Sequence, residues 1–291
     1  MASLRDIQKR IKSVQNTAKI TNAMKMVAAA KLRRAQEAVE NARPYSKEML
    51  TLISDIALRA ERAGEPAHPL LERRDPAKIE LMVMTSDRGL CGGFNSNITR
   101  RAERFMWEEK DQHEELRIST IGKKGTEHFK RRQTELRHAY TGVFEELSYH
   151  AAATIAKELT DYYVSADLDA LYLVYNEFKS AITQKVTVLQ LLPIEIEEVS
   201  EEQAVIEFEY EPSKRDILDS LLPRYLATEL YQALLESTAS EHGARMTAME
   251  NATKNAKEMI EKLTLQFNRA RQAAITTELM EIIAGAEALK G

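Results

Sequence analysis

The sequence predicts an α/β fold with a long antiparallel coiled coil made by its two ends. Three observations carry that expectation. Both termini place apolar residues at spacings of three and four over stretches too long for a compact domain. The middle of the chain alternates short apolar runs with amphipathic stretches. Charged residues make up 30% of the 291 residues and aromatics 6%, with only 10 Gly and 7 Pro, a profile of long polar helices.

Leu4, Ile7, Ile11, Val14 and Ala18 begin a narrow seam that shifts and continues through Met24, Ala28, Leu32, Ala35 and Val39. That is the seam of a coiled-coil helix. Pro44 is expected to kink it, because proline removes an amide donor and crowds the preceding turn. Helical pattern resumes to about Arg62. The stretch "AGEPAHPLLERRDP" holds three prolines and reads as a linker.

From Lys78 the period changes. "IELMVMT", "LRISTI", "ALYLVYNEF" and "KVTVLQLL" read as strands, with helical stretches near 95–111, 123–132 and 145–164. Strands separated by helices imply a Rossmann-like sheet covered by helices. "AVIEFEY", residues 204–210, alternates apolar residues with Glu and reads as a further strand with one wet face. Ser213 is a helix N-cap with Asp216 three residues on. A second long helix follows, and its seam tightens through Ala252, Ala256, Ile260, Leu263, Phe267, Ala270 and Ala274. Pro223 interrupts it, predicting a kink or a helix restart. From Ser213 to Leu289 a helix would span on the order of 110 Å, so its companion must be the other terminus. The expected divisions are an N-terminal shaft helix over 1–62, a linker over 63–77, the α/β domain over 78–211 and the C-terminal shaft helix over 212–291.

One stretch resembles a nucleotide loop. "TSDRGLCGGFN" follows an apolar run and opens a helix. A Walker loop needs four residues between its glycines and then Lys with Ser or Thr. Here Gly89 is followed by Gly92 and Gly93, then Phe94 and Asn95, and no lysine. The G-x-G-x-x-G spacing of dinucleotide folds is absent too. A tight strand-to-helix turn is the simpler reading. Cys91 as a nucleophile would need a base, and His113, His128 and His138 have no motif spacing to it. "IGKKG", Ile121 to Gly125, is a second strand-end turn whose lysines could meet phosphate or water.

The bulk numbers exclude other classes. One Cys rules out an internal disulfide. No apolar run approaches the roughly 18 residues of a membrane span. Residues 1–47 hold eleven Lys and Arg against three Asp and Glu, while the whole chain is at −4. A basic coiled-coil nucleic-acid-binding protein is therefore an alternative reading. Against it, the cations are spread round the helix, and Tyr45 near the end of the stretch is the one aromatic among them, too few to stack bases.

Several stretches taken together resemble one family. "IKSVQNTAKITNAMKMVAAAKLRRAQ", "TSDRGLCGGFNSNI", "SEHGARMTAMENATKNA" and "LTLQFNRARQAAITTELMEIIAGAEAL" are similar to the gamma subunits of bacterial F-type ATP synthases, in register from Leu4 to Leu289. The resemblance implies a central rotor shaft with no catalysis of its own. It implies as partners three alpha and three beta subunits, an epsilon subunit and the c-ring, and no nucleic acid. ATP, ADP and Mg would sit on the alpha and beta partners, and this chain would bind no cofactor. Contact with the membrane would come only through the complex, at the cytoplasmic face of a bacterial plasma membrane. The match starts too near the first residue to leave room for a transit peptide.

The same resemblance assigns residues. Met24 in "AMKMV" and Arg245 in "ARMTAM" would face the beta collar. Arg271 and Gln272 in "RARQAA" would touch a loop of one beta subunit, and Thr276, Glu278 and Glu281 in "ITTELMEI" would matter for coupling. Tyr210 and Glu211 in "YEP" would lie near epsilon and the c-ring. The cysteine-bearing regulatory insertion of chloroplast relatives is absent, so thiol control through it is not expected.

Overall fold

The structure, a computed structural model, describes residues 4–165, 167–196 and 210–288. They fall into two compact units, one from Ala29 to Arg245, the other pairing residues up to Ala28 with those from Met246 onward. Helices α1 (Leu4–Arg62) and α5 (Lys214–Ala288) belong to both.

The larger unit is built on five strands, β1 (Lys78–Met84), β2 (Glu115–Ile121), β3 (His138–Tyr140), β4 (Ala170–Phe178) and β5 (Gln184–Leu192). Their order is β3-β2-β1-β4-β5. The first four are mutually parallel, and β5 pairs antiparallel with β4. Leu81 of β1 lies level with Ile118 of β2 and Tyr172 of β4. Helices α2 (Phe94–Glu109), α3 (Lys123–Arg131) and α4 (Tyr149–Val164) connect them.

Period-two alternation sends β1 to both faces of the sheet. Ile79, Leu81 and Val83 pack with Phe94, Ile98, Ala102 and Phe105 of α2 and Phe129 of α3. Met82 and Met84 point the other way, into a core with Ile155 and Leu159 of α4, Ile53 and Ile56 of α1, and Leu222, Leu226, Leu230 and Leu234 of α5. A strand covered on both faces must be apolar throughout, which is why "IELMVM" reads as an unbroken run. Its one acid, Glu80, is buried and lies 2.7 Å from Arg137 Nε.

Residues 63–77 form neither helix nor strand but are stapled to the unit. Leu70 is buried, its carbonyl accepts from Ile194 N at 2.9 Å, and Tyr163 Oη donates to Glu72 O at 3.0 Å.

The smaller unit is a pair of antiparallel helix segments. Thr21 meets Thr253 at 2.7 Å, and Lys25 Nζ donates to Glu250 Oε1 at 2.6 Å. Ile7, Thr21, Ala28, Thr253 and Ala256 are buried, with Ile11, Val14, Ala18, Ile260, Leu263 and Phe267 half-buried between polar neighbours. This is the narrow seam read from sequence.

α1 continues as one helix through Pro44, with the proline exposed. The lost bond is outweighed by the packing of Met49, Ile53 and Ile56 just beyond it. α5 likewise runs through Pro223, so there is no helix restart, and the N-cap is at Ser213, whose Oγ accepts from Asp216 N at 3.2 Å. α4 starts at Tyr149, four residues later than read, behind an Ser148 cap that accepts from Ala151 N. β3 was not expected. The strand expected at 204–210 lies outside the described residues, apart from Tyr210.

Candidate functional site

In an open parallel sheet ligands bind beyond the strand ends, where strand order reverses. Here that place is the end of β1 and β4. The chain fills it with its own groups.

After β1 the chain turns through Asp87 to Gly93. Leu90 and Gly92 hold positive φ (63° and 59°), the strain a tight strand-to-helix turn demands. Asn95 organises the turn: its Oδ1 accepts from Ser86 N at 2.9 Å and its Nδ2 donates to Cys91 Sγ at 3.3 Å. Cys91 is buried, and burial pushes its thiol up, against the opposing pull of the Ser86 hydrogen bond and Arg245. A buried, protonated thiol without a histidine among its partners is a packing residue.

The second turn, at "IGKKG", is closed in the same way. Gly122 has φ 94°, and a Cβ there would stand 2.1 Å from Thr85 O. Thr85 Oγ1 accepts from Gly125 N at 2.7 Å, and Asp87 Oδ1 accepts from Lys123 N at 2.9 Å. A carboxylate therefore sits where a phosphate would meet the start of α3. Lys123 and Lys124 are paired with Glu145 and Glu127 at 3.0 and 2.7 Å.

Helix α5 lies across the strand ends. Ser240 Oγ donates to Asn176 O at 3.2 Å, and Glu236 Oε2 accepts from Phe178 N at 3.3 Å. Gly243 lets the β4–β5 turn approach so closely that a Cβ would be 2.8 Å from Ala181 O. Arg245 Nη2 donates to Gly89 O at 3.1 Å and is paired with Glu241. The switch point is thus an internal joint, and among the described residues no cluster could hold a metal ion.

The residues assigned from resemblance divide into groups. Arg271, Gln272, Thr276, Glu278 and Glu281 are all exposed on the last turns of α5, and Thr276 Oγ1 donates to Gln272 O at 2.9 Å. Met24 is half-buried beside the Thr21 contact. Arg245 is not free: it is fastened to Glu241 and the Gly89 turn. Tyr210 is half-buried against the core of the larger unit with Lys214 Nζ 5.7 Å from its ring centroid, and Glu211 is exposed. Sequence reading missed Arg43, Glu236 and Gly243. Glu236 could have been found as an acid on the inner face of α5, and Gly243 as a glycine in a helix interior.

Past Ala274 every α5 side chain through Gly285 is exposed, including Ile275, Leu279, Met280, Ile282 and Ile283. By helical geometry Ile275, Leu279, Ile282 and Ile283 share a face roughly a third of a turn from the seam. The seam face itself turns polar there, with Glu278 and Glu281. The basic surface of α1 is partly used within the chain, as Lys25 shows.

The crevice of the sheet is filled by the chain's own helix, and the end of α5 carries apolar side chains that no described residue covers. The ATP synthase family pattern matches residues 3–289. The ATP synthase gamma chain of Anaeromyxobacter sp. (strain K) is 56% identical over 290 residues and that of Geobacter metallireducens 55% over 291, with all of both chains covered in each case. The chain belongs to the ATP synthase gamma chain family, the non-catalytic central-stalk subunits of F-type ATP synthases. Among solved structures, a chain of the Tetrahymena thermophila mitochondrial ATP synthase central stalk and c-ring is 30% identical with TM-score 0.61, covering 80% of this chain and 99% of that one. A chain of the Euglena gracilis mitochondrial ATP synthase shares the fold at 19% identity and TM-score 0.68, covering 98% of this chain and 94% of that one.

Proposed function

We propose that this chain is the rotor shaft that couples turning of a c-ring to three alpha and three beta subunits, with epsilon beside it. ATP, ADP and Mg are held by the alpha and beta subunits. No described helix is long and apolar enough to cross a membrane, so the chain reaches the cytoplasmic face of a bacterial membrane through its partners. The divisions at residues 62, 77 and 211 separate shaft, linker and α/β domain in this reading.

The observation that carries the proposal is the end of α5. Eleven residues beyond Ala274 are helical and exposed, with apolar Ile275, Leu279, Ile282 and Ile283 that none of the described residues covers. Exposed apolar surface of this kind marks a contact with another chain. Arg271 and Gln272 stand just before it, and Thr276, Glu278 and Glu281 within it. One asymmetric helix end inside a ring of three like sites touches each differently, and such differential contact is what shifts a site's equilibrium. Met24 and Arg245 would serve a beta collar in the same way, Arg245 after release from Glu241. Tyr210 and Glu211 would face epsilon and the c-ring.

A hydrogen bond to a charged group contributes about 1.5–3 kcal/mol, enough to favour one site about tenfold or more. Arg271→Ala with Gln272→Ala should therefore slow ATP turnover in the assembled complex while helix content stays unchanged. Native turnover in a double variant of correct stoichiometry would refute the tip contact.

A further inference from the structure

We propose that Arg43 and Glu236 form the joint through which turning of the helix pair is handed to the α/β sheet. The proposal rests on the rotor reading above and adds where torque enters the domain. All the groups involved lie in the larger unit.

Arg43 of α1 donates from Nε and Nη2 to Glu236 Oε1 of α5 at 3.2 and 3.0 Å. The same Nη2 donates to Phe178 O at 2.9 Å, and Glu236 Oε2 accepts from Phe178 N at 3.3 Å. Both backbone groups of the last residue of β4 are thus held, one by each helix. The Glu236 side chain is 3% exposed, and Gln232 Nε2 adds a further donor at 3.4 Å.

This knot differs in kind from its surroundings. Leu222, Leu226, Leu230 and Leu234 pack α5 against the core by non-directional contact, which resists separation but tolerates small rotations. A fork of charged hydrogen bonds onto a buried carboxylate, from an Arg43 side chain that is itself 43% exposed, fixes angle and register together. Ser46 also bonds to Glu229 across the two helices. The Arg43–Glu236 pair joins α1, α5 and a strand end in one set of bonds. These are positioning residues, because they meet no nucleotide.

The test uses the assembled complex, held by its beta subunits, with a probe on Trp107→Cys, since Trp107 is 79% exposed on α2. Glu236→Gln keeps size and removes the charge. Its angular distribution within each pause should broaden relative to native, with the pause angles unchanged. Exchange of the Phe178 amide should rise roughly tenfold, the loss expected for one charge-assisted bond. Arg43→Lys keeps the charge but cannot fork to both partners, and should broaden the distribution less. A width equal to native in rotating Glu236→Gln complexes would overturn the joint. Failure of both variants to assemble would also overturn it, making the pair a folding requirement instead. A native complex that assembles and never rotates would instead refute the rotor reading.

Discussion

Gly243 sets two effects against each other. In a helix interior, replacing glycine by alanine normally stabilises by about 1 kcal/mol. At this position the added Cβ would be 2.8 Å from Ala181 O and 3.3 Å from Gln184 Nε2. The carbonyl cannot easily retreat. Gln184 Nε2 donates to it at 3.1 Å, and its turn is closed by Ser180 N to Thr183 O at 3.0 Å. Helix α5 must move instead, by roughly half an ångström to reach ordinary contact. The bonds from Ser240 to Asn176 O (3.2 Å) and from Arg245 to Gly89 O (3.1 Å) would then pass beyond useful length. Losing one neutral and one charged bond costs about 3 kcal/mol, so the net loss is about 2 kcal/mol, or some thirtyfold. The assay is urea unfolding of the full chain, with amide exchange across β4 and β5 reporting where the loss falls. A Gly243→Ala chain as stable as the native one, with unchanged protection at Asn176 and Phe178, would refute the close-approach argument.

Arg137→Leu should destabilise the sheet by about 3–5 kcal/mol, because Glu80 is left buried and unpaired; Glu80→Leu with Arg137→Leu should recover most of it in the same unfolding assay. His242 is pushed down to about 4 by burial, Arg245 and Lys31. Between pH 6.5 and 4 the unfolded chain binds a proton that the folded chain refuses, so stability should fall as pH drops through that window. Glu241, raised by burial, acts in the opposite sense, so the contribution is read as the difference in acid-side slope between native and His242→Gln. Cys91 should react with iodoacetamide at neutral pH far more slowly than a free thiol, and Cys91→Ala should leave turnover of the complex intact.

What could be read in the sequence was whatever repeats with a period. β1, β2, β4 and β5, both long helices and their seam are each a local pattern of apolar residues, and Ser213 with Asp216 is a local cap. β3 is only three residues long, too short to show an alternation. The helix restart read at Pro223 does not occur because a single proline weighs against local propensity, while many packed neighbours decide the outcome. The plugged crevice was invisible for another reason: Gly89 and Arg245 are 156 residues apart, and nothing in either stretch names the other. The missing Walker lysine argued against a phosphate loop, but nothing in the sequence pointed to a helix packed across the strand ends.

The uncovered end of α5 has a consequence for the life of the chain before assembly. Ile275, Leu279, Ile282 and Ile283 stand in water at 49–67% exposure. Such a surface invites self-association and capture by chaperones. On the proposed shaft reading, an orphan copy would be marked for removal by the same residues that partner subunits would cover.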